Sequence, residues 1–234
     1  SLFEFPFHSH IPSVHDRMTG VVGSWEKARH NGLITSKMGA AVVPVVVITQ
    51  HNAGHLGETL TELQRLGFNR MMLNRYNIGG RNVLASQRVS ANKAELNEAF
   101  AQASKVGAQL KLSLSSNVCT PHCIVDPLHF RNIAFTNCSP NLAQRPLTLT
   151  ADGNLRFCNH SPSVLGNIFT HELSDLLETN YFNVDAVPEF CADCSKYARC
   201  LGGCRAAAEQ VGRSFNDVDP LALQGLRPAA SGTA

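Results

Sequence analysis

Val42-Val-Pro-Val-Val-Val-Ile-Thr49 is a nearly unbroken run of β-branched residues. A strand with one wet face alternates apolar and polar side chains; this run has no polar position before its last. It therefore reads as a strand covered on both faces, the mark of a parallel sheet. Pro44 weakens its early part, because proline cannot donate to a ladder. Parallel strands need long crossovers, and the flanking sequence supplies them. Upstream, Leu2–Phe7 is apolar and aromatic enough for a buried strand. A helix is expected from Ser24, with Trp25, Ala28 and Leu33 inward and Gly39 closing it. Downstream, Leu56, Leu60 and Leu63 fall at i, i+4 and i+7, giving a helix that ends at Gly67. Met71–Arg75 follows as a third strand. Leu96, Ala99, Phe100 and Ala103 mark a third helix stopped by Gly107, and Leu110, Leu112 and Leu114 alternate as a fourth strand. The class is α/β. At roughly 30 residues per βα unit, residues 1–117 hold three units, too few to close a barrel. This region is expected to be a partial (βα) TIM-like barrel with an unpaired strand edge.

Composition limits the rest. The chain has 234 residues, 44% hydrophobic and 16% charged, which is ordinary globular composition. A formal net charge of +2 with no Lys/Arg block gives no reason to expect nucleic acid as a partner. The longest apolar stretch, Met38–Thr49, contains Pro44 and is shorter than the roughly 20 residues of a membrane span. The first residues, Ser-Leu-Phe-Glu-Phe-Pro6, carry no basic segment of the kind that opens a signal peptide. They carry no initiator Met either, so the chain is expected to be an excerpt of a longer one. Pro228–Ala234 reads as a loose tail. Eight cysteines without a secretory signal point to metal ligation rather than disulfides.

All eight cysteines lie between Cys119 and Cys204, in a segment rich in Pro and Asn with only short elements. Leu147–Thr150 and Leu155–Phe157 flank a hairpin turn at Gly153, and short helices are expected at Glu172–Glu178 and Arg205–Val211. Such a region needs staples, and metal-bound cysteines can supply them. The sharpest pattern is Cys191-Ala-Asp-Cys194-Ser-Lys-Tyr-Ala-Arg-Cys200-Leu-Gly-Gly-Cys204. Its C-x2-C pair puts two thiolates on one tight turn. Gly202-Gly203 lets the backbone approach and aim N–H groups at sulfur, which tunes iron–sulfur potentials. On these four residues alone, a four-thiolate zinc site fits equally well.

The wider layout is C-x14-G-x4-C from Cys138 through Gly153 to Cys158, a gap, then C-x2-C-x5-C-x3-C. With Leu165-Gly-Asn-Ile168 and Cys200-Leu-Gly-Gly-Cys204-Arg-Ala-Ala, it resembles the SPASM domain of radical S-adenosylmethionine (SAM) peptide-modifying enzymes. The likeness covers 118–220, and with the tail defines a second domain at 118–234. It implies two interleaved auxiliary [4Fe-4S] clusters. One takes Cys138, Cys158 and Cys204 with Cys123, where Pro121-His-Cys123 looks like the family's Pro-x-Cys, or with Cys119 as the fallback. The other takes Cys191, Cys194 and Cys200 with a late cysteine. No cysteine follows Cys204, and Ala222 stands where one is sought. An open iron, Asp219, Asp217 or a partner's group is then expected to complete that site, or it stays empty.

Residues 1–117 resemble the second half of the radical SAM barrel. His15-Asp-Arg-Met-Thr-Gly20 with Gly23-Ser-Trp-Glu-Lys27 looks like the loop after its fourth strand. Val45–Asn52 looks like its fifth strand, and Asn74-Arg75 before Gly79-Gly80 like its sixth. SAM contacts implied by the likeness are Ser9, Thr49, Asn52, Asn74 and Arg75; the plainer reading of each is strand-end capping. The C-x3-C-x2-C loop that holds the SAM-cleaving cluster is not among these residues. By resemblance the whole enzyme is an oxidoreductase, a cytoplasmic, oxygen-sensitive peptide or protein maturase. It abstracts hydrogen with a deoxyadenosyl radical and draws electrons from a donor such as flavodoxin or ferredoxin. Its auxiliary clusters relay an electron or orient substrate. Two alternatives stand beside it. One is an Fe–S or zinc-bearing peptide-recognition module without chemistry of its own. The other is a barrel hydrolase whose metal is held by His8 and His10 with His51 or His55. Gly79-Gly80 lacks the residues of a phosphate loop, and Trp25 reads as packing.

Overall fold

The Val42–Thr49 run becomes β2 (Ala41–Ile48), an inner strand between β1 (Leu2–Pro6) and β3 (Arg70–Arg75), parallel to both. The structure, a computed structural model, describes residues 2–80, 83, 88–144, 147–179 and 182–224. Val43, Val46 and Ile48 are buried, as a strand covered on both faces requires. Pro44 is tolerated because the ladder to β3 begins one residue later, at Val45 opposite Met72.

Residues 2–76, 88–118 and 124–136 form one compact unit around this sheet. β4 (Ser113–Ser116) and β5 (Ile133–Phe135) continue it, giving a five-stranded parallel sheet in the order β1-β2-β3-β4-β5 among the described residues. Sequential parallel neighbours are the order of a barrel, so the unit is a partial TIM-like fold. Its crossovers are α1 (Pro12–Thr19), α2 (Ser24–Lys37), α3 (Leu56–Arg65) and α4 (Lys93–Leu110). Leu56, Leu60 and Leu63 are fully buried on α3, as their spacing predicts.

Three features depart from the sequence reading. α1 is an added helix, ended by Gly20 in the left-handed region. The Asp16 carboxylate it carries accepts hydrogen bonds from the Gly23 and Trp25 N–H groups (2.6 and 2.8 Å) and the Ser24 hydroxyl (2.9 Å), capping α2 from outside. These bonds, Trp25's first, hold the Asp16 carboxyl below its usual range. Gly107 does not stop α4, which runs on to Leu110 with Lys111 left-handed (φ 55°) as its cap. A Cβ at Gly107 would lie 2.7 Å from Leu114 Cδ1, so this glycine serves close packing rather than termination. Leu110 and Leu112 therefore precede the strand, which begins at Ser113. Finally, the sheet gains β5 beyond residue 117, its Phe135 ring 5.1 Å from Phe100.

The second unit comprises the described residues of 77–83, 119–123 and 137–224. Its small antiparallel sheet joins β6 (Thr148–Leu149), β7 (Asn154–Arg156) and β8 (Val164–Asn167), with Gly153 (φ 84°) at the expected turn. Short helices follow: α5 (Leu173–Leu177), α6 (Tyr197–Cys200), α7 (Arg205–Gln210) and α8 (Pro220–Gln224). The expected tail, 228–234, lies outside the described residues. No described helix is long and apolar enough to cross a membrane.

Candidate functional site

In the barrel unit, parallel pairing brings the strand C-termini to one edge: Ile48 stands opposite Arg75, and Val47 opposite Asn74. Ser9, Thr49, Asn52 and Arg75 are buried there. Their contacts are mostly with the chain itself. Asn52 Nδ2 donates to the His8 and Val47 carbonyls (2.7 and 2.9 Å), and its Oδ1 accepts from the Thr49 N–H (2.7 Å) and hydroxyl (3.2 Å). Asn74 Oδ1 accepts from the Asn117 and Val118 N–H groups (2.8 and 3.3 Å), tying β3 to the end of β4. Ser9 Oγ accepts from the Ile11 N–H (3.0 Å) and pairs with His55 Nε2 (3.1 Å), while Arg75 Nη1 donates to the Tyr76 carbonyl (3.3 Å).

The histidines of this edge fall into two pairs, His8 with His15 and His10 edge-on to His55 at 5.5 Å. His8 stacks on His15 at 5.4 Å, and its Nδ1 accepts from the Val47 N–H (3.3 Å). Burial, then the His15 charge, lowers the His8 pKa to about 4. His10 turns to the Thr59 hydroxyl (3.3 Å). Among the described residues no three His, Cys, Asp or Glu side chains are grouped closely enough to hold one metal ion, so the hydrolase expectation finds no ligand set here. Trp25 packs on Phe7 and donates from Nε1 to the Ser9 carbonyl (3.0 Å), a structural role.

In the second unit the cysteines separate into two neighbourhoods. Cys204 packs with Cys119 and Cys158, and Cys119 also packs in the cluster around buried Cys138. Cys204 Sγ accepts from Asn77 Nδ2 (3.3 Å), and Cys158 Sγ from the Ser161 N–H (3.2 Å). The other neighbourhood is a small open pocket lined by Cys123, Cys191, Cys194 and Cys200. Cys123 lines this pocket with the C-x2-C loop, whereas the resemblance grouped it with Cys138, Cys158 and Cys204.

The loop geometry follows from three consecutive left-handed residues, Leu201, Gly202 and Gly203 (φ 52°, 80° and 83°). A side chain at Gly203 would meet Pro121 Cγ at 2.7 Å and Asp219 Cβ at 2.8 Å. The reversed backbone turns N–H groups inward, and those of His122, Gly202 and Gly203 favour the Cys200 thiolate. Burial still outweighs them and pushes that thiol up. Burial, with neighbouring Cys200, Cys194 and Cys123, drives the Cys191 thiol up to about 11, while Arg205 pulls it down. Crowded thiols resist ionising together, and a bound cation reverses this.

Arg205 tests whether such a group fits. Its guanidinium is fully buried, 4.7 Å from the Phe182 ring centroid, and donates to the Asn216 and Asp217 carbonyls (2.7 and 3.0 Å) and the Tyr197 hydroxyl (3.1 Å). These partners are neutral, and no ion pair to Arg205 occurs among the described residues. A buried cation calls for an anion nearby, and ionised thiols would provide one, Arg205 favouring the Cys191 thiolate. In residue type the four cysteines suit an iron–sulfur cluster, although their side chains are not drawn together around a single ion. Sequence reasoning missed the donors Asn77, Ser161 and His122, because a backbone N–H or a lone amide has no motif; the Gly-Gly pair was the visible part of the signal.

No protein-family model matches the chain, and no curated protein matches it. Among solved structures it is similar to native anSMEcpe with bound AdoMet and the Kp18Cys peptide, at 14% identity and TM-score 0.63, over 96% of this chain and 65% of that one. It is similar also to a polyhistidine-tagged form of anSMEcpe with bound AdoMet, at 14% identity and TM-score 0.65, over 96% and 62%. That protein is an anaerobic sulfatase-maturating enzyme, a radical SAM SPASM enzyme. The chain thus spans less than two thirds of those chains' length. The likeness is one of fold: the partial TIM-like sheet of this chain is similar to part of those structures.

Proposed function

We propose that this chain is the AdoMet-barrel and auxiliary-cluster portion of a radical SAM enzyme that modifies a peptide or protein. The observation that carries it is the cavity lined by four cysteines and built on a left-handed Gly-Gly loop, in a chain that shares its fold with AdoMet- and peptide-bound structures. A single zinc ion draws thiolates to about 2.3 Å from one point; an iron–sulfur cluster holds them further apart, around a cavity. Residues 118–220 are the SPASM-like part, its cysteines holding one or two [4Fe-4S] clusters. Bound there, such a cluster supplies or accepts single electrons.

The chain's own residues do the rest. The Gly202–Gly203 backbone and Arg205 balance the sulfurs' negative charge. Asp219 braces the loop, its carboxylate accepting from the Cys204 and Leu221 N–H groups (both 2.9 Å). At the strand ends, Asn52 and Asn74 fix the loops that frame the AdoMet site, with Ser9, Thr49 and Arg75 beside them. The C-x3-C-x2-C loop, an external electron donor and a cytoplasmic setting belong to the same proposal. A second reading is a cluster-bearing recognition module without chemistry of its own.

The deciding experiment measures iron, acid-labile sulfide and zinc in anaerobically purified protein, and AdoMet affinity by calorimetry. Near-equal iron and sulfide, roughly four to eight of each, with AdoMet binding, is expected. Zinc without sulfide sinks the cluster claim. Clusters without AdoMet binding leave the recognition module.

A further inference from the structure

We propose that Cys123 is the fourth ligand of the Cys191–Cys194–Cys200 site, in place of the late cysteine the chain does not have. Four thiols already share that cavity, and Cys123 is the one delivered from outside the 191–200 loop. The alternatives are occupied or inert. Ala222 is buried beside Cys191 and Val218 and has no donor. Both Asp219 oxygens accept backbone N–H groups, and Asp217 Oδ2 accepts that of Ser214 (3.0 Å).

The stretch from Cys119 to Cys123 consequently serves both centres. Cys119 packs with Cys138, Cys158 and Cys204, and Cys123, four residues on, faces the other set. Eight cysteines divide into two sets of four with none left over. The connecting segment is short: Pro121 lies against the Gly203 backbone, and the His122 N–H donates to Cys200 Sγ at 3.2 Å, so one turn positions both thiols.

This assignment rests on the cluster reading, and its test separates the two. Wild type, Cys123→Ala and Cys123→Ala/Ala222→Cys are loaded anaerobically, and iron and sulfide per chain and the visible spectrum are recorded. Wild type is expected to hold roughly eight of each. Cys123→Ala should lose from one iron to half of the total, and Ala222→Cys should restore it, because residue 222 packs on Cys191. Unchanged iron and an unchanged spectrum in Cys123→Ala overturn the assignment while leaving the clusters in place. Zinc without sulfide in wild type overturns the cluster reading. The ligand assignment is then judged on zinc: one ion lost from Cys123→Ala keeps it, and none lost overturns it. Alkylation of the unmutated protein guards against misfolding of the variants. Cys123 is exposed, so it should be labelled only after the metal is stripped; equal labelling before and after overturns the proposal.

Discussion

Gly203 and Gly212 have similar left-handed backbones (φ 83° and 77°) in very different surroundings. A methyl group at 212 meets nothing within 4 Å, whereas at 203 it strikes Pro121 and Asp219. Gly212→Ala should cost about 1 kcal/mol, the left-handed penalty alone, and Gly203→Ala about 3 kcal/mol once overpacking is added. Urea midpoints of the two variants check the difference. His8 predicts a pH dependence. With its folded pKa near 4 against 6.5 when unfolded, it takes up its proton first in the unfolded chain. Stability should hold above pH 6.5, fall by up to about 3 kcal/mol between 6.5 and 4, then level off. His8→Asn should flatten that slope in urea melts at pH 7 and 4.5. At this scale the sequence was legible where spacing brings side chains together, as with Cys191, Cys194 and Cys200, which line one pocket. It put Cys123 with Cys138, Cys158 and Cys204 and kept Cys119 as the fallback, because spacing alone does not separate two cysteines four residues apart until the 119–123 turn is folded.

Strands and helices were legible where burial has a period. The β-branched run gave β2, and Leu56, Leu60 and Leu63 gave α3. The α4 terminus was misread because glycine has two uses, ending a helix or admitting a neighbour, and only the position of Leu114 tells them apart. Gly107→Ala should therefore destabilise, although alanine is the better helix former by about 1 kcal/mol. A double-mutant cycle with Leu114→Ala should be non-additive, the second change relieving the first; additive melting temperatures would return Gly107 to a terminating role. β5 escaped the reading because Ile133–Phe135 is three residues long, too short for a periodicity, and is recruited by its register against β4. α1 escaped because its polar face hides the pattern, and Asp16 shows its purpose only once α2 lies beyond it.

The whole molecule combines an incomplete sheet with a loop-rich cysteine unit, and both follow from composition: β-branched runs with helical spacing, then thiols in place of a core. The incomplete sheet leaves β1 paired to β2 alone among the described residues, with Leu2 59% and Phe3 45% exposed. An apolar strand edge is a template for another strand. The consequence is felt at the bench: preparations of these 234 residues should lose material on concentration, through edge-to-edge pairing that dilution reverses early and nothing reverses late. Phe3→Lys, measured by light scattering across a concentration series, should delay that loss while leaving the fold intact by circular dichroism.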